Sequence, residues 1–472
     1  MPTISNSGEN TTESFLIRVD KARGLVSRSS TLISRGLESL KMLDRVVRFP
    51  SDVSIGDVYL FERGFNVDAL FRHIDEFALE YGRDVFTEFP IDVIEAIRGE
   101  LKVPHRKEIV LFISDEANVR LLSQLAPDSL QGLYLGWKVD PPEIDQDNEL
   151  RGLKYLWFSM GCATDSNLSF LSDLESLSYL SLRDSKVTDI GMSYLSKLKS
   201  LVHLDLSFTS VTGSGFSHLS NLTSLSYLNL GHSDVSDDAL LHLSKFRALS
   251  YLDLADTHPR LTDFGLSHLT DLSLLSYIDL SGSDVTDEGL NYLSKFTELS
   301  HLNLSWSAIT DDGLHNLSKF RELSYLRLCD TEVTDIGMSQ VSKLGSLSHL
   351  GLISTAITDK GVSFLSKLTA LSHLDLGYTK ITDDCLSILS KFTELSFLGL
   401  YGTKVTDFGL PYLSNLKSLT NLMLYSTAVT DKSIRHLSSL KSLKELDLVD
   451  TGVSESGIQE LKSLLPDCEI YT

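Results

Sequence analysis

"SGSDVTDEGLNYLSKF", Ser281 to Phe296, contains the segment Val285-Thr286-Asp287-Glu288-Gly289-Leu290, which returns again and again along the chain. An aspartate at a fixed interval can belong to a metal ladder, a row of catalytic carboxylates, or the start of a repeated structural element. Its neighbours separate the three. Thr286 followed by two acids, just before Leu290, Leu293 and Phe296 at spacings of three, has the composition of a helix start. The threonine oxygen satisfies an orphan backbone N–H, the carboxylates complement the positive end of the helix dipole, and the apolar stripe faces a core. A metal ladder would need several oxygen or nitrogen ligands converging on one point. One carboxylate per coil, with no second acidic column beside it, does not supply that.

Set out in lines of 24 residues from Leu153, the chain places a leucine at the head of each following line: Leu177, Leu201, Leu225, Leu249, Leu275, Leu299, Leu323, Leu347, Leu371, Leu395, Leu419 and Leu443. Every line reads approximately LxxLxLxx[ST]xVTDxGLxxLSKLxx, thirteen times in all, and the line from Leu249 is two residues longer at His258-Pro259. Position 12 is Ser or Thr in all thirteen lines and position 13 is Asp in eleven, with Gly213 and Glu455 the exceptions. The LxxLxL segment alternates as a strand does, so each line predicts one strand and one short helix. Neither buries its apolar face alone, and neighbouring copies must stack into a curved parallel sheet with helices outside.

This pattern resembles the leucine-rich-repeat family over roughly residues 153–466, with a VTDxGL variant similar to 24-residue bacterial repeats and to those of F-box leucine-rich-repeat proteins. The fold class expected is α/β: a solenoid with a curved parallel sheet on the concave side, short helices on the convex side, and a small N-terminal α or α+β region. The expected division is a disordered tail at 1–13, a mixed or helical region with a cap at 14–105, degenerate repeats at 106–152, the thirteen repeats at 153–466, and a capping strand at 467–472. Terminal units are expected to be atypical because one face has no neighbour.

Composition narrows the function. A formal charge of −22 argues against a phosphate-tracking surface, so nucleic acid is not an expected partner. No stretch is apolar for the ~18 residues a membrane span needs, so no membrane partner is expected and a cytoplasmic location is. Four cysteines without CxxC spacing give neither a zinc site nor a disulfide framework. No P-loop, GxGxxG, HExxH or nucleophile-elbow motif is present, so neither an enzyme nor a cofactor is expected.

The columns that the period leaves free remain. Position 3 reads Tyr251, Tyr277, His301, Tyr325, His349 and His373 through the middle of the array, and position 5 reads Asp253, Asp279, Asn303, Arg327 and Asp375. Both point outward from the sheet on its concave side, where they either fill the sheet surface or bind a partner. Trp306, Tyr378 and Tyr401 lie just beyond, where the lines differ most from one another. Aromatic side chains carry large contact area with a polar handle, so these fourteen residues form the candidate partner-binding set, centred on Trp306 with His301, Asn303, Tyr325 and Arg327. His349, His373 and Asp375 could in principle catch zinc, but adjacent surface histidines are more often plain surface residues.

The expected function is therefore a non-enzymatic, monomeric scaffold that binds a protein through its concave face. Two alternatives rest on the N-terminal region. "FPIDVIEAIRGEL", 89–101, resembles the opening of an F-box, which implies a substrate receptor of a ubiquitin ligase, and an effector or toxin-like head is the other. The spacing predicts amphipathic helices over 67–81 and over 89–101.

Overall fold

The computed structural model describes residues 45–48, 57–62, 92–94, 100–103, 107–113, 130–136, 150–158 and 161–472. Two units divide the chain, Met1–Leu156 and Trp157–Thr472.

In the second unit each repeat contributes a three-residue strand at its positions 3 to 5. Thirteen such strands, from Tyr179–Ser181 to Glu469–Tyr471, pair in parallel, each with the next in sequence. The register is that of the repeat itself, with Tyr251 opposite Tyr277 and Ile278 opposite Leu302. The result is one open, curved sheet. Leu252, Ile278 and Leu302 are fully buried, while Tyr251, Asp253, Tyr277, Asp279, His301 and Asn303 are half-buried on the opposite side.

The core repeats with the sequence. In one coil Leu275, Ile278, Leu280, Val285, Leu290, Leu293 and Phe296 are all removed from solvent. Each such side chain contributes roughly 1.5–3 kcal/mol. No coil could keep that burial without its neighbours.

The second half of each coil is helical, though its type varies. Asp287–Leu293 is an α-helix whose N-cap Thr286 is extended and accepts from the Glu288 N–H at 3.3 Å. Gly191–Leu195, Ser214–Leu219, Gly313–Lys319 and Leu410–Asn415 are 3-10 helices. Segments of five to seven residues gain little from helical cooperativity, so packing against the coil decides the geometry.

The aspartate column does more than start helices. Asp263 accepts from the N–H and hydroxyl of Thr286 in the following coil, at 2.9 and 2.6 Å. Ten of the eleven aspartates make this pair of bonds to the next coil's position 12, and Asp189 accepts the Thr212 hydroxyl with the Gly213 N–H instead. The threonine hydroxyl thus donates backward to one coil and accepts from its own helix. The carboxylate is a staple between repeats.

Glycine at position 15 follows from that staple. A Cβ on Gly289 would lie 2.5 Å from Asp263 Oδ1. Where the residue is not glycine, the contact is met in more than one way. Ser433 donates its hydroxyl to Asp407, and Ala239 stands against Gly213, the one line where the aspartate itself becomes glycine.

Two further ladders close the turns. The position 9 hydroxyls, such as Ser283 and Thr331, donate to the carbonyl three residues earlier at 2.6 and 2.7 Å. The position 2 serines, such as Ser276 and Ser300, donate to the position 2 carbonyl of the preceding coil at 3.0 Å.

Described residues of the first unit are mainly strand. Arg45–Arg48 pairs antiparallel with Glu100–Val103, and Asp57–Glu62 pairs antiparallel with both Asp92–Ile94 and Lys107–Ile113. Lys107–Ile113 then runs parallel to Gly132–Leu135, with Leu111, Ile113, Leu133 and Leu135 buried. This corrects the helix expected over 89–101. Val93 and Ile94 pair as β-branched residues in a ladder, and the F-box resemblance is not confirmed. The helix expected over 67–81 lies outside the described residues.

Candidate binding face

The outward columns of the second unit form a continuous ring stack. Tyr179, His203, Tyr227, Tyr251 and Tyr277 follow one another with centroids 3.6–4.0 Å apart and planes within 14°. His301, Tyr325, His349 and His373 continue the column at 5.3–5.6 Å, and Phe397 closes on His373 at 4.0 Å. The sheet is covered at its start, where Tyr179, His203 and Asp205 are buried. From Tyr227 onward it opens.

Beside the rings runs the acidic and amide column. Asp253 Oδ1 accepts the Ala255 N–H at 3.0 Å and Asp279 Oδ1 the Ser281 N–H at 2.9 Å, so each closes a turn at the strand's end. Asn303 Nδ2 donates to Asp279 Oδ2 at 2.9 Å, linking adjacent strands. Burial first, and then the carboxylate of Asp279, raise the Asp253 pKa. The phenols of Tyr251 and Tyr277 are raised by burial and then by a neighbouring phenol and carboxylate. Arg327 is the one cation in this column across Asp253–Asp375.

Burial lowers the histidines of the column. His301 and His349 fall below the usual imidazole range, and His373, with His349 and Arg327 nearby, is pushed down to about 4. His349 and His373 stack face to face. Among the described residues no group of three or more His, Cys, Asp or Glu is placed to hold a metal ion.

Tyr378, Tyr401 and Tyr425 make a second aromatic cluster. Tyr401 and Tyr425 stack at 4.4 Å, Tyr378 stands edge-on to Tyr401 at 5.5 Å, and the Tyr401 hydroxyl donates to Asp375 Oδ2 at 3.0 Å. Of the expected site residues, Tyr401 and Asp375 are buried by this arrangement, whereas Tyr378 remains 52% exposed.

Position 8 is a feature that the sequence reading passed over. Its backbone is left-handed in twelve consecutive repeats, from Asp184 to Asp450, a region that favours glycine. Glycine occupies it only at Gly282 and Gly402, while Phe208, Trp306 and Tyr378 hold it with φ of 56°, 56° and 53°. Bulky residues there cost on the order of 1–2 kcal/mol. The recurrence of Asp and Gly in this column, at Asp184, Asp256, Gly282, Asp330, Gly402 and Asp450, was the available signal. Trp306 is 54% exposed.

A second pattern also escaped the 24-residue reading. Ile190, Phe264, Ile336 and Phe408 occupy position 14 of every third repeat, in or just before the helical segment, and all are exposed, Phe408 to 83%. The array therefore carries a longer period of three coils.

The Leucine Rich repeat family model matches residues 265–294 and 297–318. No curated protein matches the chain. Among solved structures, an internalin from Listeria monocytogenes is 28% identical with a TM-score of 0.51, the match covering 64% of this chain and 81% of that one. A leucine-rich-repeat protein of Leptospira interrogans, 21% identical with a TM-score of 0.54 over 77% of this chain and 89% of that one, shares the fold. With the thirteen-fold period, the one-strand coil and the aspartate staple, these matches place the chain in the leucine-rich-repeat family.

Proposed function

We propose that the chain is a non-enzymatic, monomeric scaffold that binds one protein partner through the concave sheet between Tyr251 and Tyr401. The observation that carries this reading is Trp306: a large aromatic, half exposed, on left-handed backbone where glycine would be cheaper. The remaining accessible members, Tyr251, Asp253, Tyr277, Asp279, His301, Asn303, Tyr325, Arg327, His349, His373 and Tyr378, supply a rigid aromatic and polar surface around it, with the buried Asp375 and Tyr401 holding Tyr378 from below. Repeat solenoids commonly use such extended concave surfaces for binding.

The proposed location is cytoplasmic. Cys162, Cys329, Cys385 and Cys468 are free thiols in the described structure, in keeping with a reducing compartment. Among the described residues no helix is long and apolar enough to cross a membrane.

Replacing Trp306, Tyr325 and Arg327 together by alanine tests the proposal in an affinity capture. Loss of the captured protein, with circular dichroism unchanged, is the expected outcome. Undiminished capture would defeat it.

A further inference from the structure

The seat that a partner side chain takes at Trp306 is legible from another place in the same array. Arg183, at position 7 of its repeat, lies with Cζ 4.7 Å from the centroid of Phe208, at position 8 of the next, and its Nη1 donates to Ser207 at 3.1 Å. Phe208 and Trp306 share the column, the left-handed backbone and the same φ. In this column, then, a guanidinium already stacks on an aromatic face.

Among the described residues none places a cation over Trp306. The position equivalent to Arg183 is Ser281, and the preceding member of the column is Gly282, which has no side chain to cover the indole. Its glycine is used: a Cβ there would overlap the Asp256 carboxylate, which leans across Gly282 from the coil before. On the other side of Trp306 in the column stands Asp330. Arg327, the cation of the adjacent strand, is turned the other way, its Nε 3.4 Å from where a Cβ of Gly351 would stand. An exposed indole with a carboxylate on either side of it in the column favours a cation by ring quadrupole and by charge.

We propose that Trp306, Asp256 and Asp330 form a seat for an arginine side chain of the protein partner, filled from outside as Arg183 fills the Phe208 seat from within. The inference rests on the concave-face reading and names the partner's chemistry: a basic segment whose guanidinium lies flat on the indole. Asp256 and Asp330 repel acidic segments and attract this one.

The test uses the full chain labelled with 5-fluorotryptophan, whose three tryptophans give separate resonances, with Trp306→Phe assigning the one of interest. The probe is N-acetyl-argininamide, and N-acetyl-citrullinamide is its neutral isostere. A saturable shift of the Trp306 resonance with argininamide and none with citrullinamide is expected. Asp330→Asn should weaken the probe at least about threefold, and Ser281→Arg, with its fold checked by circular dichroism, should abolish its binding by occupying the seat. Equal shifts with the neutral isostere, or no shift at any concentration the folded chain tolerates, would overturn the proposal. Because the probe reads the seat without any protein partner, the two claims fail separately. Probe failure with capture still dependent on Tyr325 and Arg327 removes the seat alone. Probe binding with capture indifferent to the face removes the parent reading.

Discussion

The staple between coils predicts a compensating pair. In Asp287→Gly, the Thr310 N–H and hydroxyl lose acceptors at 2.9 and 2.7 Å. Hydrogen bonds to a charged group contribute about 1.5–3 kcal/mol each, less where water can replace the acceptor, so a loss of about 2–3 kcal/mol is expected for this half-buried pair. In Gly313→Ala, the new methyl would overlap Asp287 Oδ1, and overpacking of this kind costs about 1–3 kcal/mol. The double variant recreates the natural Gly213 and Ala239 pair, where glycine in one coil faces alanine in the next. Its loss should fall below the sum of the two single losses by at least about 1 kcal/mol, the size expected for residues in direct contact. Urea unfolding of the three variants gives the cycle, and hydrogen exchange at Thr310 reports the local bond. Strict additivity, with Thr310 exchange unchanged in Asp287→Gly, would refute the staple.

Three further outcomes follow from the face. Asp253 has a folded-state pKa raised by burial and by Asp279, so the folded chain holds its proton more tightly than the unfolded chain. Its contribution to stability therefore improves as pH falls from neutral toward about 4; Asp253→Asn should be more stable than wild type near pH 7, and the difference in melting temperature should shrink toward pH 4. His373 has the opposite sign, because a folded-state pKa depressed to about 4 means that stability is lost as pH falls below about 6.5. His373→Phe, which extends the stack toward Phe397, should flatten that part of the stability profile, as thermal melts across the range will show. Trp306→Gly relieves the left-handed strain at a site with half its side chain in solvent, so its melting temperature should hold or rise while partner capture falls; a drop in melting temperature would contradict the strain.

The fold was readable because its determinants are local and repeated. LxxLxL sets the strand, the Thr286-Asp287 pair sets the helix start, and thirteen copies leave little doubt about which faces meet. The second role of the aspartate was not readable from one line, because its partner lies 23 residues on in the next coil. It shows only as the preference for Gly at position 15 of the line that follows an Asp at position 13, with Ala239 in the one line that follows Gly213. The N-terminal misreading has the opposite origin. Over 89–101 a short apolar run without repetition fits either a helix or a strand, and pairing with Asp57–Glu62 selected the strand. At the face, the outward direction of Tyr251 or His301 followed from period 2. The burial of Tyr401 and Asp375 depends on the Tyr378 cluster, which joins three coils and has no counterpart in the consensus.

The central claim is that a protein partner docks on the concave sheet, and site-specific photo-crosslinking tests it most directly. A benzophenone amino acid placed at Tyr325, on the concave column, is compared with one at Phe408, exposed in the turn before the helical segment Leu410–Asn415, each replacing one aromatic by another. The account predicts a discrete crosslinked partner from position 325 and none of that species from 408. Crosslinking of the same partner from 408 alone would contradict it.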